Sequence, residues 1–430
     1  MSISVRARLS VMMALIYAVQ GAWYPLLALH LGDLGLNGRE RGWIFASYPV
    51  ATIFMALGAG ALVDRRLASQ RYLAICYAIG AGLLCWMALG PKVGPVALFG
   101  LFFVYWLVIA PTSGVAASLA LRNLSRPQAE FGGVRLWGTI GWMVVGWCVS
   151  LTMVLSGSIR SGGGAYEAFW IAAALSVVLA GFALFLPDTP PLAGGRVPVR
   201  VGAVGPLLKT PSVAVYLVAA FCVSLTMPFV YQVLPTYLES EGLPRAWAAT
   251  ALTLGQWPEI VALAVLPWLL LRLGPKRTLL IGMGAYVIRF GSLALRPPLW
   301  IALAGIPLHG IGIACFTVGG QVFLDARAPG ERRAGAQALN MLVTSGLGAL
   351  LGSLLAGELV EWFRGDMRLV FLVPCLIQLG LIVFFSLGFR PNVRATKRRA
   401  VFSPRIPTPR DPMGPAVAGA GHLAVESADG

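Results

Sequence analysis

The chain has 430 residues, of which 58% are hydrophobic and only 12% charged, yet its net charge is +16. A soluble protein carries roughly a quarter of its residues charged, so the composition excludes water as the solvent for most of this surface. The 33 basic residues sit in short clusters between apolar runs rather than on one basic face, which excludes a nucleic-acid-binding domain and fits loops lying over anionic lipid.

Twelve apolar runs of about 20 residues follow one another, each enough to cross the hydrocarbon core as a helix. They predict spans over 9–31, 42–63, 72–89, 96–121, 131–155 and 166–187 in the first half of the chain. The second half repeats the pattern over 211–237, 246–271, 278–295, 299–324, 334–357 and 368–389. The first run exceeds a signal-peptide core and no small-residue cleavage site ends it, so it reads as a retained span. The fold class expected is an all-α membrane protein with twelve spans in two pseudo-symmetric six-helix bundles.

An even number of spans puts both termini on one side. The connections on that side, with the tail, hold 23 Lys and Arg, and the opposite connections hold 8. The excess marks that side as cytoplasmic, so a multi-pass protein of the cell membrane with both termini inside is expected. Residues 188–210, opening with Asp188-Thr189-Pro190-Pro191, form the one long cytoplasmic connection. They divide the chain into bundles 1–187 and 211–390. Residues 391–430 lack periodicity and are rich in Pro, Gly and Arg, the composition of a disordered tail. After the second span of each half comes a tight basic turn, Gly60-Ala-Leu-Val-Asp64-Arg65-Arg66 and Leu271-Arg272-Leu273-Gly274-Pro275-Lys276-Arg277. A duplicated six-helix unit predicts such an echo.

The six cysteines each lie inside an apolar run and none forms a CxxC pair, so they read as small buried hydrophobes rather than disulfide or metal ligands. No HExxH, P-loop or nucleophile elbow is present. Gly346-Leu-Gly348-Ala-Leu-Leu-Gly352 follows no strand and reads as a helix-packing seam rather than a dinucleotide loop. The pattern implies no enzyme, no cofactor and no metal. A membrane-embedded enzyme or scaffold would need a cluster of nucleophile and base that the chain does not offer.

Charges inside spans are the informative positions, because each costs several kcal/mol unless paired or wetted. Glu259 lies deep in the eighth span. Gln256, three residues earlier, shares its face, and Pro258 frees a backbone carbonyl there. A carboxylate, an amide and a loosened backbone suit a solute rich in hydroxyls or amides. Arg135 enters the fifth span from the cytoplasmic side, with Thr139 four residues on along the same face. Arg289 lies past the middle of the ninth span, where it could pair with a carboxylate or with carbonyls. His309 opens the Gly-rich stretch of the tenth. Trp23, Tyr24, Trp142 and Tyr231 are aromatics within spans, able either to pack or to stack on a ring in a cavity.

Several of these pieces carry a resemblance. Gly60-x-x-x-Asp64-Arg65 resembles the loop signature of the major facilitator superfamily. Val134-Arg135-Leu136-Trp137-Gly138-Thr139-Ile140-Gly141, Gln256-x-x-Glu259, Ile288-Arg289-Phe290 and Arg333-Ala334-Gly335-Ala336-Gln337 resemble the nucleoside:proton symporter family within it. The resemblance runs from Gly21-Ala22-Trp23 to the twelfth span. It implies a substrate site of Arg135, Thr139, Gln256 and Glu259, with Trp142 at an aromatic position. The chain departs from the family at Ala314, where the family has a carboxylate, and at Ile313, its aromatic neighbour. It departs also at His309, a family tyrosine, and at Pro228 and Tyr231, two polar positions.

The expected function is therefore proton-coupled uptake of nucleosides or a similar polar metabolite, by a monomer whose partners are a small polar solute, protons and the lipid bilayer. Sugar uptake and efflux of amphipathic compounds are the alternatives within transport. Site residues are Arg135, Thr139, Trp142, Tyr231, Gln256, Glu259 and His309. Glu259 is the expected proton carrier with Arg135 as its counter-charge, because burial opposes ionisation of a carboxyl and a guanidinium favours it.

Overall fold

A backbone in lipid finds no water to satisfy its polar groups, so it must satisfy them within the segment, and among the described residues every regular element is a helix. The structure is a computed structural model that describes residues 4–55, 67–90, 93–157, 165–191, 205–328 and 333–390. The loop residues Gly60, Asp64 and Arg65, most of the 188–210 connection and the 391–430 tail lie outside the described residues.

In chain order the spans are α1 (Val5–Asp33), α2 (Gly38–Phe54), α3 (Ser69–Ala88), α4 (Pro95–Asn123), α5 (Glu130–Leu155) and α6 (Tyr166–Ala183). They continue as α7 (Pro211–Ser240), α8 (Arg245–Arg272), α9 (Gly274–Ala294), α10 (Leu299–Arg327), α11 (Gly335–Trp362) and α12 (Met367–Gly388). Ten of these are long and apolar enough to cross a membrane. The other two are α2, which runs into residues outside the described set, and α9, which carries Lys276, Arg277 and Arg289. All six cysteines are free.

Two hydrophobic cores form. One surrounds Trp23, whose ring lies 5.5–5.7 Å from those of Tyr105, Phe102, Phe169 and Trp106. The other surrounds Tyr216, Phe229, Tyr286, Phe290 and Phe371. Lipid is as apolar as these side chains, so close packing rather than water exclusion holds the helices together. Small residues make it possible. A Cβ on Gly141 of α5 would strike the carbonyl oxygen of Ala14 in α1, and one on Gly352 of α11 would lie 2.5 Å from that of Leu225 in α7. The same seam thus recurs six helices apart.

Contacts between the first and second six helices gather at the end of the bundle away from the start of α1. Asn37 caps α2 reciprocally with Glu40 at 2.9 Å in each direction, which sets the first turn so that Gly38 and Gly42 face α11. There Gly42 backs onto Gly357 and the Ser353 carbonyl. The free N–H of Gly38 donates to Glu361 at 2.6 Å, and Arg39 forks onto Glu358 at 2.6 and 2.9 Å. On the opposite flank α5 meets α8. Gly146 lies against Ala249 and Thr253, Thr250 donates to Ser150 at 2.8 Å, and the Trp147 indole donates to Thr253 at 3.1 Å. Arg245 bridges Asp33 at 2.5 Å and Glu239 at 2.8 Å.

Candidate functional site

Beneath this tied end lies a cavity of about 490 Å³, within the ~300–1,000 Å³ typical of small-molecule sites. Its lining continues toward the other end as far as Gln321 of α10 and Asn340 of α11.

Local breaks in the helices build its walls. In α8 the regular helix stops at Thr253 and restarts at Gln256, with Gly255 between. With its amide nitrogen turned back, Gln256 donates to the carbonyls of Thr253 at 2.8 Å and Leu252 at 3.0 Å. It thereby adds a side-chain donor at two carbonyls beside the break, of which that of Leu252 also accepts from the Gly255 N–H at 3.4 Å. The close approach that seats Glu259 comes from α10: a Cβ on Gly310 would strike the Gly255 carbonyl oxygen and lie 2.5 Å from the Glu259 nitrogen. His309, the neighbour of Gly310, enters the same wall.

Three π-helical turns border the cavity. Phe229–Val233 presents Tyr231, Ile313–Val318 presents Ile313, Phe316 and Thr317, and Leu342–Gly348 presents Thr344 and Ser345. A π-turn widens the helix by one residue and is frequent at functional sites. Tyr231 stands 5.2 Å from Tyr24 and 6.1 Å from Trp142, ring to ring, while Tyr48 meets Trp106 at 4.7 Å. The cavity therefore combines aromatic faces with a short row of polar groups. Asn340 is held by Tyr216, which donates to it at 3.1 Å.

Of the residues singled out in sequence, Trp142, Tyr231, Gln256, Glu259 and His309 line this cavity. Arg135 and Thr139 are half-buried and are not among its lining residues. The Arg135 guanidinium lies 4.1 Å over the ring of Tyr17, within electrostatic reach of Glu259. Glu259 is the one acidic side chain in the lining among the described residues. Arg289 is 1% exposed, and its Nε and Nη1 have no hydrogen-bond partner among the described residues. The pairing with a carboxylate or carbonyls that its sequence position suggested is absent for those two nitrogens. Trp23 belongs to the core, while its neighbour Tyr24 faces the cavity.

Sequence reasoning missed Gln20, Tyr48, Gln321, Asn340 and Thr344 in the lining. A usable signal existed: Gln20 with Tyr24, and Asn340 with Thr344, are polar pairs four residues apart inside apolar spans, hence on one face.

A family model described as nucleoside H+ symporter matches residues 1–394. YegT of Escherichia coli strain K12 is 31% identical over 367 residues, covering 83% of this chain and 84% of that protein. The xanthosine permease of the same organism is 27% identical over 425 residues, covering 93% of this chain and 99% of the permease. The crystal structure of the nucleoside transporter NupG, 24% identical, superposes on 90% of this chain and 100% of its own with a TM-score of 0.79.

Proposed function

The chain belongs to the nucleoside H+ symporter family, and from that membership and the build of its cavity we propose that it takes up nucleosides together with protons. It is a multi-pass membrane protein and a secondary active transporter of small polar solutes. It sits in the cell membrane with both termini in the cytoplasm, on the side favoured by its basic connections. Bundles 1–187 and 211–390, joined by 188–210, rock about the cavity. In that orientation the ties at Asp33–Arg245 and Gly38–Glu361 close the external side, and the state described is open inward.

One observation carries the reading: the aromatic faces of Tyr24, Trp142 and Tyr231 share a single cavity with the amide of Gln256 and the carboxylate of Glu259. Aromatic faces stack on a base, and an amide and a carboxylate pair with ribose hydroxyls or the base edge. Arg135, over Tyr17, supplies the counter-charge to Glu259, and Thr139 follows it on the same face. Glu259 carries the proton. Charged, it is attracted to Arg135; neutral, it is free of it, so protonation changes what the two halves gain by approaching.

The test is uptake of labelled uridine and adenosine into proteoliposomes under an imposed pH gradient. Accumulation should follow the gradient and collapse with a protonophore. Accumulation of neither nucleoside, with maltose or an amphipathic cation moved instead, would overturn the reading.

A further inference from the structure

Arg289 is a fully buried charge within a membrane span. It projects from α9 into the second core, with 1% of its surface exposed. Its Nε and Nη1 are buried without hydrogen-bond partners, and it forms no ion pair among the described residues. Its guanidinium lies over the ring of its own neighbour, Phe290, at 5.9 Å, an apolar face that does not stand in for a carboxylate. An isolated charge at membrane depth is expensive and marks function by default.

Its position gives it something to act on. Antiparallel packing of α9 on α10 sets Tyr286 against Gly312 and Ser292 against Gly305, so Arg289 falls level with His309. Tyr286 and His309 lie 6.3 Å apart, ring to ring. His309 and Tyr231 both line the cavity. The guanidinium therefore sits one side chain behind the cavity wall. Because it is only 1% exposed, its field is less screened than that of a surface charge.

Charge can then be counted. Among the described residues, the cavity and the layer behind it hold two guanidiniums, Arg135 and Arg289, against one carboxylate, Glu259. The wall is one positive charge in excess when Glu259 is ionised and two when it is protonated. We infer that Arg289 is a specificity-determining residue, and that the transporter favours nucleosides whose base bears a single negative charge over neutral ones. One negative charge, rather than the two of a phosphate monoester, balances the resting site. This rests on the nucleoside reading above and adds the charge state of the substrate to it.

The expected size follows from one unscreened charge: at roughly 10 Å and an effective dielectric constant of about 20, it changes the affinity for an ion on the order of tenfold. The experiment uses the purified full chain in lipid nanodiscs at pH 7.5, with binding measured by calorimetry for two matched pairs. Inosine is compared with xanthosine, whose ring proton is acidic, and uridine with 5-carboxyuridine. Wild type should prefer the charged member of each pair by about tenfold. Arg289→Lys should keep the preference. Arg289→Gln should lose it while holding the neutral ligands within about threefold, since Arg289 does not reach the cavity itself.

Equal wild-type affinity within both pairs overturns the inference and leaves the nucleoside reading standing, and that comparison needs no variant to fold. A preference that survives in Arg289→Gln overturns the role of this residue. Uridine monophosphate binding more tightly than either charged nucleoside overturns the single-charge assignment. Binding of none of the five ligands removes the nucleoside reading and this inference together.

Discussion

Gly357→Ala should loosen the end of the bundle where the two sets of six helices are tied. A methyl group at this position would sit 2.6 Å from the Gly38 carbonyl oxygen and 3.0 Å from the Gly42 Cα. Carbon and carbonyl oxygen settle no closer than about 3.3 Å, so the α2–α11 crossing has to open by roughly 0.7 Å. The opposing atoms are backbone, and no side chain can rotate away to make room. Overpacking of this kind costs about 1–3 kcal/mol, which shifts an equilibrium between closed and open by a factor of about 5–150. The change should also lengthen the 2.6 Å bond from Gly38 to Glu361. The measurement is a spin-label distance between Leu89 and Leu295, exposed C-caps of α3 and α9 at this end, in a background with the native cysteines replaced. A longer-distance population should grow in Gly357→Ala. It should not grow in Gly380→Ala, where an added Cβ meets nothing within 4 Å. Distance distributions that match wild type in both variants would refute the claim that this glycine crossing latches the state.

Arg245→Gln removes a cation that joins Asp33 and Glu239 from a half-buried position. It should act in the same direction by about 1–2 kcal/mol, read with the same label pair; an unchanged distribution would make the bridge incidental. Glu259→Gln keeps the shape but cannot ionise, so accumulation driven by a pH gradient should vanish while exchange of labelled for unlabelled substrate continues. Concentrative uptake by this variant, with pH as the only driving force, would place the proton elsewhere. Gln256→Ala removes an amide from the cavity lining together with its bonds to the Leu252 and Thr253 carbonyls and should weaken uridine binding by about 1–3 kcal/mol, measured by calorimetry; affinity equal to wild type would remove Gln256 from the site. A reporter fused after Gly430 should be active only in the cytoplasm, and activity outside the cell would invert the orientation.

The helical spans were legible because lipid leaves the chain few options. Apolar length reports a crossing, and Gly346–Gly348–Gly352 reports close packing, which the contacts of Gly348 on Ser224 and Gly352 on Leu225 display. Glu259 and Gln256 were legible because a polar group at membrane depth is costly. The fate of the aromatics was not. Trp23 and Tyr24 are adjacent in sequence and about 100° apart on a helix; one fills a core and the other faces the cavity. Only the direction of the neighbouring helices separates those outcomes. The three π-turns were equally hidden, since they arise from tertiary packing and no residue type specifies them.

Those weak points explain how a rigid bundle can hold a site that must open on either side. α1 has 67% of its most apolar stretch buried, and α8 only 17%, so the core residues of α8 are gathered before Gly255. Val261, Val265 and Trp268 are exposed, while Gln256 and Glu259 look into the cavity. Its firm anchors, Ala246, Ala248 and Ala249, belong to the first core, and Thr250 and Thr253 hydrogen-bond to α5. The break at Gly255 follows directly. Before Gly255 the helix is therefore fastened to both halves of the molecule, with Ala251 and Leu252 in the second core, and at the break it is held against Gly310 of α10. Motion between the halves has to bend or release α8 beside that break, and Gln256 and Glu259 sit on its cavity side. A polar pair at this place feels the relative position of the two halves through the backbone that carries it, which a pair in the middle of a fully packed helix would not.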